Sequence, residues 1–189
     1  MSSIKIIDCD SKKTKEICRI LSVLGAETET LSIKDLPSGI FNWSGGIIIS
    51  GSPVLLSETD TAPYIEKFLF VKNISVPVLG ICFGHQIIGM LYGGKIQKDK
   101  ECRRPINIKL LAKDAIFEGL PENPVFGEDH TESISLPLNF EHIATSEFCK
   151  VEAIKHKEKP LYGVQFHPEV SGENGKILLK NFLRICKVL

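Results

Sequence analysis

The first half of the chain alternates between segments with strand-like and helix-like spacing of apolar residues. Strands are predicted at residues 4–8, 27–33, 46–53 and 75–81, and the third of these is an apolar run that stops on small residues. Helices are predicted at residues 11–25, 61–73 and 84–94. Strands that alternate with helices predict a three-layer α/β fold, in which an open, mostly parallel, twisted sheet carries helices on both faces.

The second half has a different pattern. Close-spaced strands are predicted at residues 105–111, 132–136, 140–146, 150–156 and 161–166 without helices between them, which indicates a smaller antiparallel portion. The charged residues 97–105 predict a mobile surface loop. Residues 174–189 predict a final helix that packs on the sheet. Because the chain has neither an internal repeat nor a linker, we expect one domain over residues 1–189.

Composition argues against several classes of function. Lys plus Arg (23) balance Asp plus Glu (23), so no net charge favours nucleic acid or a membrane surface as a partner. The amino end has no apolar run long enough for a secretory signal, and no segment is apolar enough for a membrane span, so we expect a cytoplasmic protein. The 6 cysteines form no C-x-x-C pair, which argues against a zinc site or a disulfide framework.

Candidate chemistry begins where the apolar strand at residues 75–81 meets the next helix. Cys82 stands there between Gly80 and Gly84, in the pattern G-x-C-x-G. Ligands of parallel sheets bind beyond the carboxyl ends of the strands, and this pattern is the cysteine form of the tight turn that projects a nucleophile. The positive end of the helix dipole would favour the thiolate. The alternative is a core cysteine in a glycine-rich turn.

A thiolate nucleophile also needs a proton shuttle, and His167 is the candidate. It ends a predicted strand, and Glu169 follows two residues later, on the same face of an extended chain. A carboxylate beside an imidazole fixes its tautomer and raises its basicity. Alone, this pattern also fits a histidine next to a proline turn with a solvated glutamate. Its combination with the cysteine motif favours a triad of Cys82, His167 and Glu169.

Three segments resemble the active-site motifs of one family. "GICFGHQ" around Cys82 and "GVQFHPEV" around His167 match two motifs of the class I (triad) glutamine amidotransferases, and "GIIISGSP" resembles their glycine-rich oxyanion strand. The resemblance covers the whole chain and implies a flavodoxin-like sheet. Within the family, chain length and the segment "EDHTESISLPLNFEHIATSE" resemble the separate amidotransferase subunits of archaeal-type GMP synthetases.

The resemblance implies glutamine hydrolysis through a cysteine thioester. Cys82 would attack the side-chain amide of glutamine, and His167 would protonate the departing ammonia and then activate water. Glu169 would hold His167 in place. The backbone N–H groups of Phe83 and Ser52 would form the oxyanion hole that stabilises the tetrahedral intermediate.

Substrate and partner are also implied by the resemblance. Gly51, Gln86, His130 and Thr131 match the substrate site, where they would bind L-glutamine. The ammonia would pass to an ATP-dependent synthetase, which in the GMP group is an ATP-pyrophosphatase subunit that converts xanthylate to GMP. This chain would need no metal or cofactor of its own, and Mg-ATP would bind to the partner.

Some positions depart from the family pattern and leave the acceptor open. Ser52 stands where members usually have a second glycine, which has a wider φ range. The segments "IIDCDSKKTKE" and "KECRRPINIKL", and Asp129 before His130, differ from the GMP group. The alternatives are an amidotransferase for another synthetase and a stand-alone γ-glutamyl hydrolase or peptidase. A non-catalytic binding module is a third, although such a module has no need of a complete triad.

Overall fold

Strands and helices alternate through the first half of the chain in the computed structural model, which describes residues 3–36 and 43–189. The strands are β1 (Ile4–Asp8), β2 (Thr28–Ser32), β3 (Gly46–Ile49), β4 (Val78–Ile81), β5 (Ile96–Cys102), β6 (Pro105–Asn107), β7 (Lys109–Leu110), β8 (Val125–Gly127), β9 (His130–Ile134), β10 (Phe140–Thr145), β11 (Ala153–His156) and β12 (Leu161–Val164). The α-helices are α1 (Thr14–Val23), α2 (Ala62–Phe68), α3 (Phe83–Leu91) and α4 (Gly172–Ile185).

The central sheet has eight strands in the order β2-β1-β3-β4-β12-β11-β10-β7. The pairs from β2 to β12 are parallel, and those from β12 to β7 are antiparallel. The parallel part has the flavodoxin-like order, because its first strand in sequence lies between the second and the third. The predicted mostly parallel sheet with an antiparallel portion in the second half is therefore confirmed.

Hydrophobic cores lie on both faces of this sheet because buried strands alternate their side chains between the two faces. Ile48 packs into the core that contains Leu178 of α4, whereas Ile47 and Ile49 pack into the core that contains Phe83 of α3. Burial of each such side chain contributes roughly 1.5–3 kcal/mol. No helix in the described part of the chain is long and apolar enough to cross a membrane.

Two antiparallel ribbons stand beside the sheet, and they correct two of the predictions. The predicted mobile loop at residues 97–105 is wrong, because most of it forms β5, which pairs with β9. The side chains of β5 are largely exposed, so they give no period that would reveal a strand. The single strand predicted at residues 105–111 is divided around the buried Ile108 into β6, which pairs with β8, and β7, at the edge of the sheet.

Candidate active site

The register between β4 and β12 brings the two motifs together. These strands are parallel neighbours with Ile81 opposite Val164, and the N–H of Cys82 donates a hydrogen bond of 2.8 Å to the carbonyl of Val164. Cys82 directly follows β4, and His167 follows β12 by three positions. The carboxyl ends of adjacent parallel strands therefore hold both side chains at one edge of the sheet, as the sequence predicts.

Cys82 lies in a strained turn that its neighbouring glycines make possible. Its backbone has φ 51° and ψ −103°, a conformation that costs on the order of 1–3 kcal/mol for a residue other than glycine. A Cβ atom on Gly80 would lie 2.5 Å from the backbone of Gly84, and one on Gly84 would lie 2.4 Å from the carbonyl oxygen of Ile49. Only glycines allow the first turn of α3 to pack this closely on β3 and β4, and this packing holds the cysteine at the strand end.

His167 and Glu169 form a buried pair. Nδ1 of His167 lies 2.7 Å from Oε1 of Glu169, and the two residues are 3% and 2% exposed. An ionised Glu169 accepts the proton of Nδ1, which leaves Nε2 available for proton transfer. Burial alone would lower the pKa of His167, but the charge of the Cys82 thiolate and the interaction with Glu169 outweigh burial and raise this pKa to about 10. The arrangement stabilises an imidazolium beside a thiolate.

A pocket of about 330 Å³ opens over Cys82. It is lined by most of the sequence-predicted site residues: Ser52, Cys82, Phe83, Gln86, His130, Thr131 and His167. The other two lie directly behind this lining. Glu169 contacts His167, and a Cβ atom on Gly51 would lie 3.2 Å from Cε1 of His167 and 3.7 Å from the Cβ atom of Cys82. The fold thus gathers all nine residues around one cavity.

The two expected oxyanion donors have different settings. Phe83 begins α3, where backbone N–H groups of the first turn lack partners within the helix. Ser52 follows β3 in an irregular segment, and its φ lies outside the left-handed region. Serine therefore replaces the usual glycine of the family without backbone strain at this position.

A chain of side-chain amides leads away from Cys82. Nε2 of Gln165 donates to Sγ of Cys82 at 3.5 Å, and Oε1 of Gln165 accepts from Nε2 of Gln86 at 3.2 Å. Gln86 also donates to the carbonyl of Glu132 at 3.0 Å. Gln165 is not among the sequence-predicted site residues. Its position two residues before His167 carries the same signal as Glu169, because alternate residues of an extended chain share a face.

Comparison with known proteins decides the family. The sequence pattern of the family "Glutamine amidotransferase class-I" matches residues 5–186. The chain belongs to this family. It is 38% identical over 190 residues to the glutamine-hydrolysing subunit of GMP synthase from Pyrococcus abyssi, which covers 97% of this chain and 98% of the relative. It is 43% identical over 148 residues to the corresponding subunit from Methanococcus aeolicus, which covers 76% and 75%.

Solved structures agree with this assignment. A crystal structure from Thermoplasma acidophilum, described as that of a GMP synthase subunit, superposes with a TM-score of 0.89 at 29% identity and covers 99% of this chain and 94% of the other. A glutamine amidotransferase from Thermotoga maritima superposes with a TM-score of 0.82 at 16% identity, with 98% of each chain covered. The second likeness concerns the fold alone.

The mouth of the amidotransferase pocket carries a network of ion pairs. Asp129 pairs with Nζ of Lys13 and lies 3.4 Å from Nε of Arg103, which also pairs with Glu101. Burial would raise the pKa of Asp129, but Lys13 and Arg103 lower it. The segments that depart from the pattern of the GMP group therefore meet at the pocket mouth, although they lie far apart in the sequence.

A second acidic group lies beneath the pocket. Glu128 and Glu152 are 5% and 0% exposed, and Nε2 of His130 lies 3.2 Å from Oε2 of Glu128. Burial raises the pKa of both carboxyls, and the charge of Glu128 raises that of Glu152 further. Burial also lowers the pKa of His130. Because a buried carboxylate is costly, the pair retains a proton to higher pH than exposed carboxyls do.

Proposed function

We propose that this chain hydrolyses glutamine to glutamate and ammonia at Cys82, and that it supplies the ammonia to a GMP synthetase. The observation that carries the chemistry is the geometry at the sheet edge. A strained, pocket-lining cysteine stands beside an imidazole whose Nδ1 is held by a buried carboxylate at 2.7 Å. This is the arrangement that nucleophilic acyl transfer requires.

Acylation is the first half of the proposed reaction. The thiolate of Cys82 attacks the side-chain carbonyl carbon of glutamine, and the N–H groups of Phe83 and Ser52 stabilise the oxyanion that forms. His167 donates the proton of Nε2 to the departing nitrogen, so that ammonia leaves and a γ-glutamyl thioester remains on Cys82. The hydrogen bond to Glu169 keeps His167 in the tautomer that this transfer needs.

Deacylation reverses the roles of the same groups. His167, now neutral, takes a proton from water at Nε2, and the hydroxide adds to the thioester carbon. Collapse of the second tetrahedral intermediate breaks the C–S bond and releases glutamate. These steps use side chains and water alone, so this half-reaction needs no cofactor or metal.

The acceptor is proposed from the relatives. The glutamine-hydrolysing GMP synthase subunits of Pyrococcus abyssi and Methanococcus aeolicus are 38% and 43% identical to this chain, over 97% and 76% of its length. On this basis the partner is a synthetase subunit of the ATP-pyrophosphatase type that binds Mg-ATP and xanthylate and converts xanthylate to GMP. The ammonia is then consumed by the partner. Such a complex works in the cytoplasm, where these nucleotides are made.

The test is glutamine hydrolysis by the purified chain, with and without an ATP-pyrophosphatase subunit of GMP synthetase, ATP and xanthylate. Cys82→Ala should abolish hydrolysis. Cys18→Ala, at a half-buried cysteine of α1, is the matched control and should retain it. Glutamate release that depends on Cys82 and rises when the partner and its substrates are added supports the proposal. Hydrolysis that ignores the partner, or turnover of γ-glutamyl peptides in its place, overturns the assignment to GMP synthesis.

A further inference from the structure

Glu132 is a buried acid whose carboxylate is used entirely by backbone groups of a distant segment. It lies in β9 and is 3% exposed. Its Oε2 accepts the N–H of Leu56 at 2.9 Å, and its Oε1 accepts the N–H of Ser57 at 2.9 Å. Two charge-assisted hydrogen bonds to one carboxylate fix both the position and the orientation of that segment.

The segment held by Glu132 is the one that carries Ser52. Residues 50–57 connect β3 to the turn before α2 and have neither helix nor strand structure. The other hydrogen bonds that the structure describes within residues 51–57 are local, such as the N–H of Val54 to Oγ of Ser52 at 3.3 Å. Irregular backbone without cross-links is free to shift, so Glu132 supplies the anchoring that secondary structure supplies elsewhere.

The same residue is also connected to the nucleophile. The backbone carbonyl of Glu132 accepts from Gln86, which reaches Gln165, and Gln165 donates to Sγ of Cys82. One residue therefore fixes the segment of Ser52 through its side chain and the surroundings of Cys82 through its backbone. The oxyanion hole needs both parts in register, because one donor comes from each side of the pocket.

We propose that Glu132 is a positioning residue that aligns the oxyanion donor of Ser52 with the nucleophile Cys82. The inference rests on the proposed function, which assigns the oxyanion hole to Ser52 and Phe83. Oxyanion donors act only at hydrogen-bond distance from the developing charge, so a small displacement of residues 51–57 slows acylation while glutamine still binds.

The decisive variant is Glu132→Gln. Its side chain keeps the size of glutamate but offers one oxygen and one NH2 group, so one of the two N–H groups of Leu56 and Ser57 meets a donor. Its backbone carbonyl is unchanged, so the contact to Gln86 remains. We expect kcat for glutamine hydrolysis to fall on the order of 10–100-fold with KM within about twofold, since loss of a complete oxyanion donor costs about 10²–10³ in kcat. Glu132→Asp keeps two oxygens and should restore part of the rate.

A second readout separates positioning from a general structural role. Alkylation of Cys82 by iodoacetamide is a displacement at a saturated carbon and forms no oxyanion, so Glu132→Gln should leave its rate within about twofold of the wild type. The alkylation is followed by peptide mass spectrometry at Cys82. Glu58→Gln is the matched control, because Glu58 lies beside the same segment but pairs only at the surface with Lys98. It should change neither rate.

Each outcome has one meaning. Hydrolysis that falls at least tenfold in Glu132→Gln while alkylation is unchanged supports the inference. Hydrolysis that stays within twofold of the wild type overturns it, and so does an equal loss of hydrolysis and alkylation, which indicates that Glu132 holds the site as a whole. If the wild-type chain with its partner shows no Cys82-dependent hydrolysis, the proposed function fails first and the inference falls with it.

Discussion

The two sides of the pocket are built by different means. Cys82 and His167 extend from β4 and β12, two parallel strands at the centre of the sheet whose residues are all buried. The facing wall carries His130, Thr131 and Glu132 on β9, which pairs with the largely exposed β5. The first side is positioned by sheet register and packing, whereas the second is positioned by individual polar contacts. Changes to the first side should therefore affect chemistry and folding most.

Substitution of Glu169 by Gln tests the buried side most severely. The amide can donate to Nδ1 of His167 and would favour the tautomer that carries the proton on Nε2, which cannot act as the base for water. We expect glutamine turnover to fall on the order of 10²–10⁴-fold. Glu173→Gln, at an exposed position in the first turn of α4, is the control and should remain within twofold of wild-type turnover. Equal turnover in Glu169→Gln and the wild type would contradict the proposed role of the pair.

Gly84→Ala tests the packing of the turn that carries Cys82. The added Cβ atom would lie 2.4 Å from the carbonyl oxygen of Ile49, so β3 or α3 must move. We expect the free energy of unfolding to fall by about 3 kcal/mol, a shift of about 6–12 °C in Tm for a chain of this size. Gly25→Ala, which has open space but φ +87°, should cost only about 1–2 kcal/mol. A smaller loss at Gly84 than at Gly25 would show that the close approach is not limiting.

The acidic pair behind β9 gives a prediction on pH. Because the pKa values of Glu128 and Glu152 are raised in the folded chain, the folded state retains protons that the unfolded state has already lost above the ordinary glutamate pKa of 4.5. Their contribution to stability is therefore present at low pH and is lost as the pH rises through the folded-state values. Glu152→Gln should remove part of this loss and raise Tm at pH 8 more than at pH 5.

Thermal unfolding of the wild type and Glu152→Gln across this pH range measures that contribution. The high pKa of His167 also makes stability fall at alkaline pH, but this effect is common to both chains and cancels in the difference. Glu141→Gln, at an exposed position of β10, is the control. A difference in Tm between Glu152→Gln and the wild type that does not change with pH would contradict the raised pKa.

The smallest effect is expected at the pocket mouth. Asp129 is 40% exposed in its side chain, and Arg103 is 68% exposed. Exposed ion pairs contribute about 0–1 kcal/mol, so Asp129→Asn should change Tm by no more than about 4 °C. The change should disappear in 1 M salt, where surface charges are screened. A larger, salt-independent loss would show that the mouth is part of the folded core.

The same contrast explains what the sequence could predict. Buried parallel strands show as apolar runs, and their carboxyl ends share one edge, so the meeting of Cys82 with His167 follows from the pattern. β5 has charged side chains along most of its length, and its pattern indicates a loop instead. The role of Glu132 depends on two hydrogen bonds to residues 75 and 76 positions earlier, and the Lys13–Asp129 pair joins residues 116 positions apart. No periodicity encodes such contacts.

The central claim is that Cys82 is the nucleophile toward glutamine, and its most direct test is covalent labelling by a glutamine analogue. The chain is incubated with 6-diazo-5-oxo-L-norleucine, whose reactive carbon takes the place of the amide, and the adduct is located by peptide mass spectrometry. The account predicts one adduct on Cys82, which excess glutamine suppresses and Cys82→Ala abolishes. Absence of an adduct at Cys82, or labelling that glutamine does not suppress, would contradict it.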